Sequence, residues 1–238
     1  MSSDPAAATH PPGVRTFKRR SGRVTPGQTD ARQRLWPQLG LGVDGRRLDL
    51  PALFGRVAPL VVEVGFGMGE ATAEMAAAQP DHDVLAVDVH TPGQGNLLRL
   101  VERRRLTNVR VADGDARVLL AEMLPAASVA VVRVFFPDPW PKTRHAKRRL
   151  VTPAFAALVA DRLVDGGTVH LATDMAAYAL EARDVLATTP GLALGEPPWR
   201  ATTRFERRGG RQGRPAHDVA ARRTDRTAPE PPTVGGSA

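Results

Sequence analysis

Leu60-Val61-Val62-Glu63-Val64-Gly65-Phe66-Gly67-Met68-Gly69 is the stretch on which the fold turns. A short, largely β-branched run is broken by three glycines at alternate positions. An alanine-rich segment from Glu70 to Gln79 follows, with the composition of a helix. Such a run predicts a buried strand. Glycines at its carboxyl end predict a sharp turn where the backbone can approach a ligand before the helix begins.

The same grammar repeats outward from that stretch. Val84 to Asp88 reads as a second strand, Asn108 to Ala112 as a third, Val129 to Phe136 as a fourth and Thr168 to Thr173 as a fifth. Between them lie helical segments at about Gly93 to Arg105, Ala116 to Met123, Pro153 to Leu163 and Met175 to Ala187. In the first of these Leu97, Leu98, Leu100 and Val101 make an apolar stripe, and Arg103 to Arg105 fall in the last turn, where cations suit the helix dipole. Strands that are apolar throughout and alternate with helices predict an α/β, Rossmann-like domain: a mostly parallel, doubly wound sheet covered on both faces. Glu196 to Arg223 is expected to add terminal antiparallel strands. The predicted organisation is a flexible basic arm over residues 1–34, a single domain over 35–223 and a disordered tail over 224–238.

Composition narrows the function. With no cysteine among 238 residues, disulfides and thiolate metal sites are excluded, which suits a cytoplasmic protein. No apolar run is long enough to cross a bilayer, and Met1 to His10 lacks the charged-then-hydrophobic pattern of a secretory signal. The net charge of +8 is unevenly placed. Residues 15–34 carry seven basic side chains against one acidic, residues 142–149 carry five against none, and the arginine-rich 200–223 has only Glu206 and Asp218 to oppose it. Clustered cations point to a polyanionic partner, nucleic acid above all.

Glu63 stands two residues before Gly65, so the pattern is acidic-x-Gly65-x-Gly67-x-Gly69 and not the GxGxxG of dinucleotide sites. That acidic form is the one used for S-adenosylmethionine, whose sulfonium and amino groups are cationic. Asp88 ends the second strand, where a carboxylate can accept both ribose hydroxyls or simply cap a turn. Asp115, after the third strand, can accept from an adenine amino group or serve as a helix N-cap. Carboxylates at the ends of successive strands make a ligand edge, and the fourth strand delivers Asp138 to it. Asp138 lies in Phe135-Phe136-Pro137-Asp138-Pro139-Trp140-Pro141-Lys142, followed by Thr143, Arg144, His145, Ala146, Lys147, Arg148 and Arg149. A carboxylate beside dense cations can hold a base by its polar edge while phosphates are neutralised; the plainer reading is a proline turn before a basic helix. Trp140, fixed between prolines, is expected to pack rather than stack on a base. His145 and His170 lack a second histidine at ligand spacing, so no metal is expected.

These motifs together resemble the bacterial tRNA (guanine-N7-)-methyltransferase family, of the class I S-adenosylmethionine-dependent methyltransferase fold. The resemblance runs through the glycine turn, the 135–151 segment, Thr173-Asp174-Met175 with Tyr178-Ala179, Thr203-Arg204-Phe205-Glu206 and the arm from Val14 to Arg23. It implies methylation of guanosine 46 in the variable loop of tRNA. It further implies cofactor contacts from Glu63, Gly65, Gly67, Gly69, Asp88, Asp115 and Asp138, with Asp138 also catalytic. Substrate contacts would come from Lys142, Asp174, Thr203, Arg204, Phe205 and Glu206, and an RNA grip from Arg144 to Arg149. Departures are Asp88 for the family's Glu, Met175 for its Trp, and His217-Asp218-Val219 for a more apolar pattern. The expected partner is tRNA, and the expected state a monomer with a homodimer as the alternative. The same fold acting on another RNA guanine, or a non-catalytic RNA-binding relative, stands as the rival reading.

Overall fold

Every one of those apolar runs becomes a strand of one eight-stranded sheet in the computed structural model, which describes residues 16–17 and 22–225, Thr143 by its backbone alone. The strands are β1 (Gly40–Gly42), β2 (Leu60–Val64), β3 (Asp83–Asp88), β4 (Val109–Asp113), β5 (Val129–Phe135), β6 (Leu163–Thr173), β7 (Leu192–Gly195) and β8 (His217–Arg223). Their spatial order is β1-β4-β3-β2-β5-β6-β8-β7. The strands from β1 to β6 pair in parallel, while β8 runs antiparallel to both β6 and β7. The expected terminal antiparallel strands are therefore present. Strand order reverses beside β2, and at that switch the ends of β2 and β5 leave a crevice.

Helices cover both faces: α1 (Pro26–Leu39), α2 (Leu50–Phe54), α3 (Glu70–Ala78), α4 (Thr91–Arg104), α5 (Ala116–Val118, continued by a π-helical turn to Met123), α6 (Pro153–Arg162), α7 (Ala176–Thr188) and α8 (Arg204–Gly210). Side chains alternate across the strands. Val62, Leu85 and Val87 pack with Phe155, Val159 and Tyr178, while Val61, Val84 and Ala86 pack with Ala31, Ala73 and Leu97 on the opposite side. Burial on both faces is why these strands read as continuous apolar runs.

Three local differences from the sequence reading have physical causes. Residues 26–34, expected within the flexible arm, form most of α1. Thr25 and Gln28 close a reciprocal capping box (Thr25 N to Gln28 Oε1 2.9 Å), and Pro26 occupies the first turn. The fifth strand, expected from Thr168, begins at Leu163 because Asp165-Gly166-Gly167 forms a bulge inside β6, where Gly166 takes φ 76° and the register with β5 slips. Between 196 and 216 the chain inserts α8, capped by Thr203, before β8 begins. Residues 1–15 and 18–21 of the arm, and 226–238 of the expected disordered tail, lie outside the described residues. Among the described residues no helix is long and apolar enough to cross a membrane.

Candidate active site

The glycine turn has the sharp backbone geometry that the sequence suggests. Gly65, Gly67 and Gly69 take φ values of 76°, 58° and 77°, in the left-handed region where a Cβ is strained. Close approach adds a second constraint. A Cβ at Gly93, in the first turn of α4, would overlap the carbonyl oxygen of Gly67, so α4 can abut the turn only because residue 93 is glycine. The turn is pinned from the next strand: the Asp88 carboxylate accepts the N–H of Gly67 (3.0 Å) and that of His90 (3.0 Å). Burial pushes the Asp88 carboxyl above its ordinary pKa, and these two N–H groups oppose the shift.

A cleft opens at the carboxyl ends of β2 to β5, with about 1010 Å³ of free space partly open to solvent. Gly65, Gly67, Asp88 and Asp115 line it, and Asp138 enters from the β5 side with Phe136 and Pro137. Val64, Val87, Val89 and Leu150 make an apolar wall, and Phe205 closes one rim. Asp115 lines the cleft and is the N-cap of α5, accepting the Arg117 N–H at 2.9 Å and pairing with its guanidinium at 2.7 Å.

Glu63 and Gly69 are placed differently. The Glu63 carboxylate is buried behind the cleft wall: one oxygen accepts the Thr72 hydroxyl at 3.0 Å, and the other has no hydrogen-bond partner among the described residues. Desolvation raises the Glu63 pKa, while the positive field of Arg133 and the Thr72 bond act against that rise. Gly69 is the N-cap of α3, and a Cβ there would come within 2.7 Å of Leu97; its role is packing the helix rather than lining the cleft.

The 143–149 cluster divides. Arg144, His145, Ala146, Lys147 and Arg148 lie at least partly in solvent, and Lys142 is exposed. Arg149 corrects the sequence reading: it is buried, ion-paired with Glu181, donates to the Pro139 carbonyl at 3.1 Å and lies over the Tyr178 ring. A three-residue helical repeat over Thr143–Arg148 turns the next side chain inward. Arg149 braces the loop and is not available to RNA. Trp140 packs as expected: it is 4% exposed, and its indole donates to the Thr16 carbonyl at 3.2 Å. His170 is also a core residue, bonded to Asp218 at 2.7 Å.

Of the substrate residues suggested by resemblance, Asp174 and the Thr203–Glu206 segment gather on one rim, around the start of α8, while Lys142 stands on the 136–142 loop. Asp174 pairs with Arg214 at 2.6 Å, and Thr203 and Glu206 form the capping box of α8. Arg200, which sequence reasoning missed, ties this rim together. Its guanidinium bonds Glu206 (2.5 and 3.1 Å) and Asp218 (2.6 and 2.9 Å) and lies over the rings of Phe135 and Phe136. Thr16, Phe17 and Phe136 were missed as cleft residues as well. The arm motif around Phe17 was the available signal for the first two. Nothing local marked Phe136, whose φ of 51° ends the strand abruptly.

An acidic cleft with apolar walls, a glycine turn and an unsatisfied buried carboxylate oxygen suits a cationic sulfonium nucleoside. A family model for methyltransferases, Methyltransf_4, matches residues 57–219. The 16S rRNA methyltransferase KamB shares the fold at TM-score 0.55 and 16% identity, over 76% of this chain and 95% of that one. An antibiotic-related methyltransferase does so at TM-score 0.53 and 13% identity, over 76% and 98%. Fold and cleft thus define a class I S-adenosylmethionine-dependent methyltransferase. Two curated relatives carry the name tRNA (guanine-N(7)-)-methyltransferase: that of Streptomyces coelicolor, 52% identical over 96% of this chain and 88% of its own length, and that of Halorhodospira halophila, 50% identical over 92% and 99%. The chain belongs to the bacterial tRNA (guanine-N7-)-methyltransferase family.

Proposed function

We propose that this protein methylates N7 of guanosine 46 in the variable loop of tRNA, in the cytoplasm, with S-adenosylmethionine as donor. One observation carries the reading: Asp138, on a loop that continues into an exposed basic segment, opens onto the same cleft as the glycine turn, Asp88 and Asp115. When bound, S-adenosylmethionine supplies an electrophilic methyl group. Gly65, Gly67, Asp88 and Asp115 would hold it, with Glu63 contributing negative potential from behind the wall.

Guanine N7 keeps its lone pair in the neutral base, so no proton has to be removed before it attacks. Alignment and charge are what the protein must provide. Asp138 accepts hydrogen bonds from the guanine edge, orients it and offsets the positive charge that develops on the imidazole ring. Lys142, Asp174 and the Thr203, Arg204, Phe205, Glu206 segment position the nucleotide. Arg144, His145, Lys147 and Arg148 face the RNA backbone beside Ala146.

The test is incubation with labelled S-adenosylmethionine and unmodified tRNA, followed by mapping of 7-methylguanosine. Label at position 46, with Asp138→Ala lowering kcat far more than affinity for S-adenosylhomocysteine, is the expected result. Label at another guanine would move the target, and tRNA binding without transfer would favour a non-catalytic RNA-binding protein. Near wild-type turnover in Asp138→Ala would remove that residue from the mechanism.

A further inference from the structure

Beyond the cleft rim, Trp199 stands out. Of the three tryptophans, Trp140 is buried and Trp36 half-buried, but Trp199 is 57% exposed. It follows Pro197-Pro198, which stiffen the chain, and precedes Arg200, whose guanidinium is locked to Glu206 and Asp218. The ring is thus held in solvent by a fixed backbone. Beside it the segment 197–202, α8 and β8 enclose a shallow groove bordered by Pro197, Pro198, Thr202 and Glu206.

The adjoining helix supplies charge. Arg204, Arg207, Arg208 and Arg211 fall at i, i+3, i+4 and i+7, on one face at the end of which Arg211 caps α8, and all four are exposed. The opposite face carries Phe205 into the cleft and buries Gly209. Arg207 donates to the Thr202 carbonyl at 2.9 Å, which joins the arginine face to the segment bearing Trp199. A rigid exposed indole beside a row of cations matches a single-stranded nucleic acid, whose bases stack on aromatic rings while phosphates meet arginines.

We propose that Trp199 and the Arg204–Arg211 face of α8 form a second tRNA-binding surface, with an unpaired base next to the target guanosine stacked on Trp199. This rests on the tRNA reading above. Because Arg200 lies over Phe136, a residue of the cleft, RNA anchored here leads directly to the methyl-transfer site. The 142–148 cluster would then grip one side of the target nucleotide and α8 the other.

The test compares wild type, Trp199→Ala, Trp199→Tyr and Arg208→Ala/Arg211→Ala in tRNA filter binding and in methylation. Trp199→Ala should weaken tRNA binding and raise its KM by about 5- to 150-fold, the span of one base–aromatic stack, with a far smaller change in kcat. Trp199→Tyr should recover most of the loss, and S-adenosylhomocysteine binding should not follow it. The double arginine variant should flatten the salt dependence of binding by about one to two ions released. Bound tRNA should also quench tryptophan emission in the wild type and much less in Trp199→Tyr. Unchanged tRNA affinity in Trp199→Ala overturns the proposal, as does a dimer of the wild type that this variant dissociates, since the surface would then join two copies of the chain. If the wild type binds tRNA but transfers no methyl group, the methylation reading fails while the binding arms still decide this one; if it binds no tRNA, both fall.

Discussion

Arg200→Met isolates what the Arg200 cluster contributes. Methionine keeps the apolar stem over Phe135 and Phe136 but removes the bonds to Glu206 and Asp218. Taken singly, hydrogen bonds to charged groups contribute about 1.5–3 kcal/mol each, and four would sum to roughly 6–12 kcal/mol. That sum is too large here for two reasons. The Glu206 and Asp218 side chains are 25% and 29% exposed, so both can recover water once the cation is gone, and two bonds to one carboxylate are not independent. Breaking a fully buried ion pair costs about 3–5 kcal/mol, so a partly solvated one should cost about 2–4 kcal/mol. For a chain of this size that is a fall of roughly 4–16 °C in thermal midpoint. Urea denaturation monitored by circular dichroism would measure it, with Glu206→Gln and the double variant completing a cycle. We expect coupling between Arg200 and Glu206 of about 1–2 kcal/mol. A loss under about 0.5 kcal/mol, or strictly additive variants, would refute the view that this cation holds the rim together.

Three further outcomes follow from named contacts. Tyr178→Phe removes the hydroxyl that accepts the buried Val151 N–H at 3.2 Å, and should cost about 1–3 kcal/mol in the same denaturation assay without opening a cavity. Burial pushes the Tyr178 hydroxyl up to about 12, so its stabilising share is whole below the unfolded value near 10 and is lost as pH rises toward 12; the Phe variant should lack that alkaline loss. Partial burial acts to raise the Asp218 carboxyl, but hydrogen bonds from His170 and Arg200 prevail and hold it well below the carboxylate range. Its contribution is therefore full above about pH 4 and falls in more acid solution, an acid limb in urea midpoints that Asp218→Asn should flatten. Gly93→Ala forces α4 away from the Gly67 carbonyl, and calorimetry should show weaker S-adenosylhomocysteine binding together with about 1–3 kcal/mol of overpacking cost.

The sheet was legible because its strands are buried on both faces and its turns are punctuated by glycine. Val61 and Val62 serve opposite cores, so the run is apolar on both faces and only Glu63 breaks it before Gly65. α1 was missed because its sequence is largely polar: only Gln28 and Ala31 are buried, and its packing against α4 depends on Gly95, which a window centred on residue 30 does not contain. The Thr25–Gln28 capping box was a usable local signal. Among the site residues, Asp88 and Asp115 were legible as strand-end carboxylates. The burial of Arg149 was not, since a run of cations gives no hint of which one finds a partner 32 residues away at Glu181.

The 136–142 loop shows why such limits are physical. Phe136 precedes Pro137, a position where extended backbone is favoured, yet it takes φ 51°, and Trp140, which precedes Pro141, takes φ 43°. Two non-glycine residues in the left-handed region cost energy that the loop's own sequence does not return. The compensating contacts come from elsewhere: the Phe136 N–H reaches Ala172 O at 2.7 Å, Arg149 holds the Pro139 carbonyl, Trp140 reaches Thr16, and Arg200 covers the Phe136 ring. Each partner lies on a different element. The position of Asp138 in the cleft is therefore a property of the assembled domain, and weakening any one of these distant contacts should disturb methyl transfer before it unfolds the sheet.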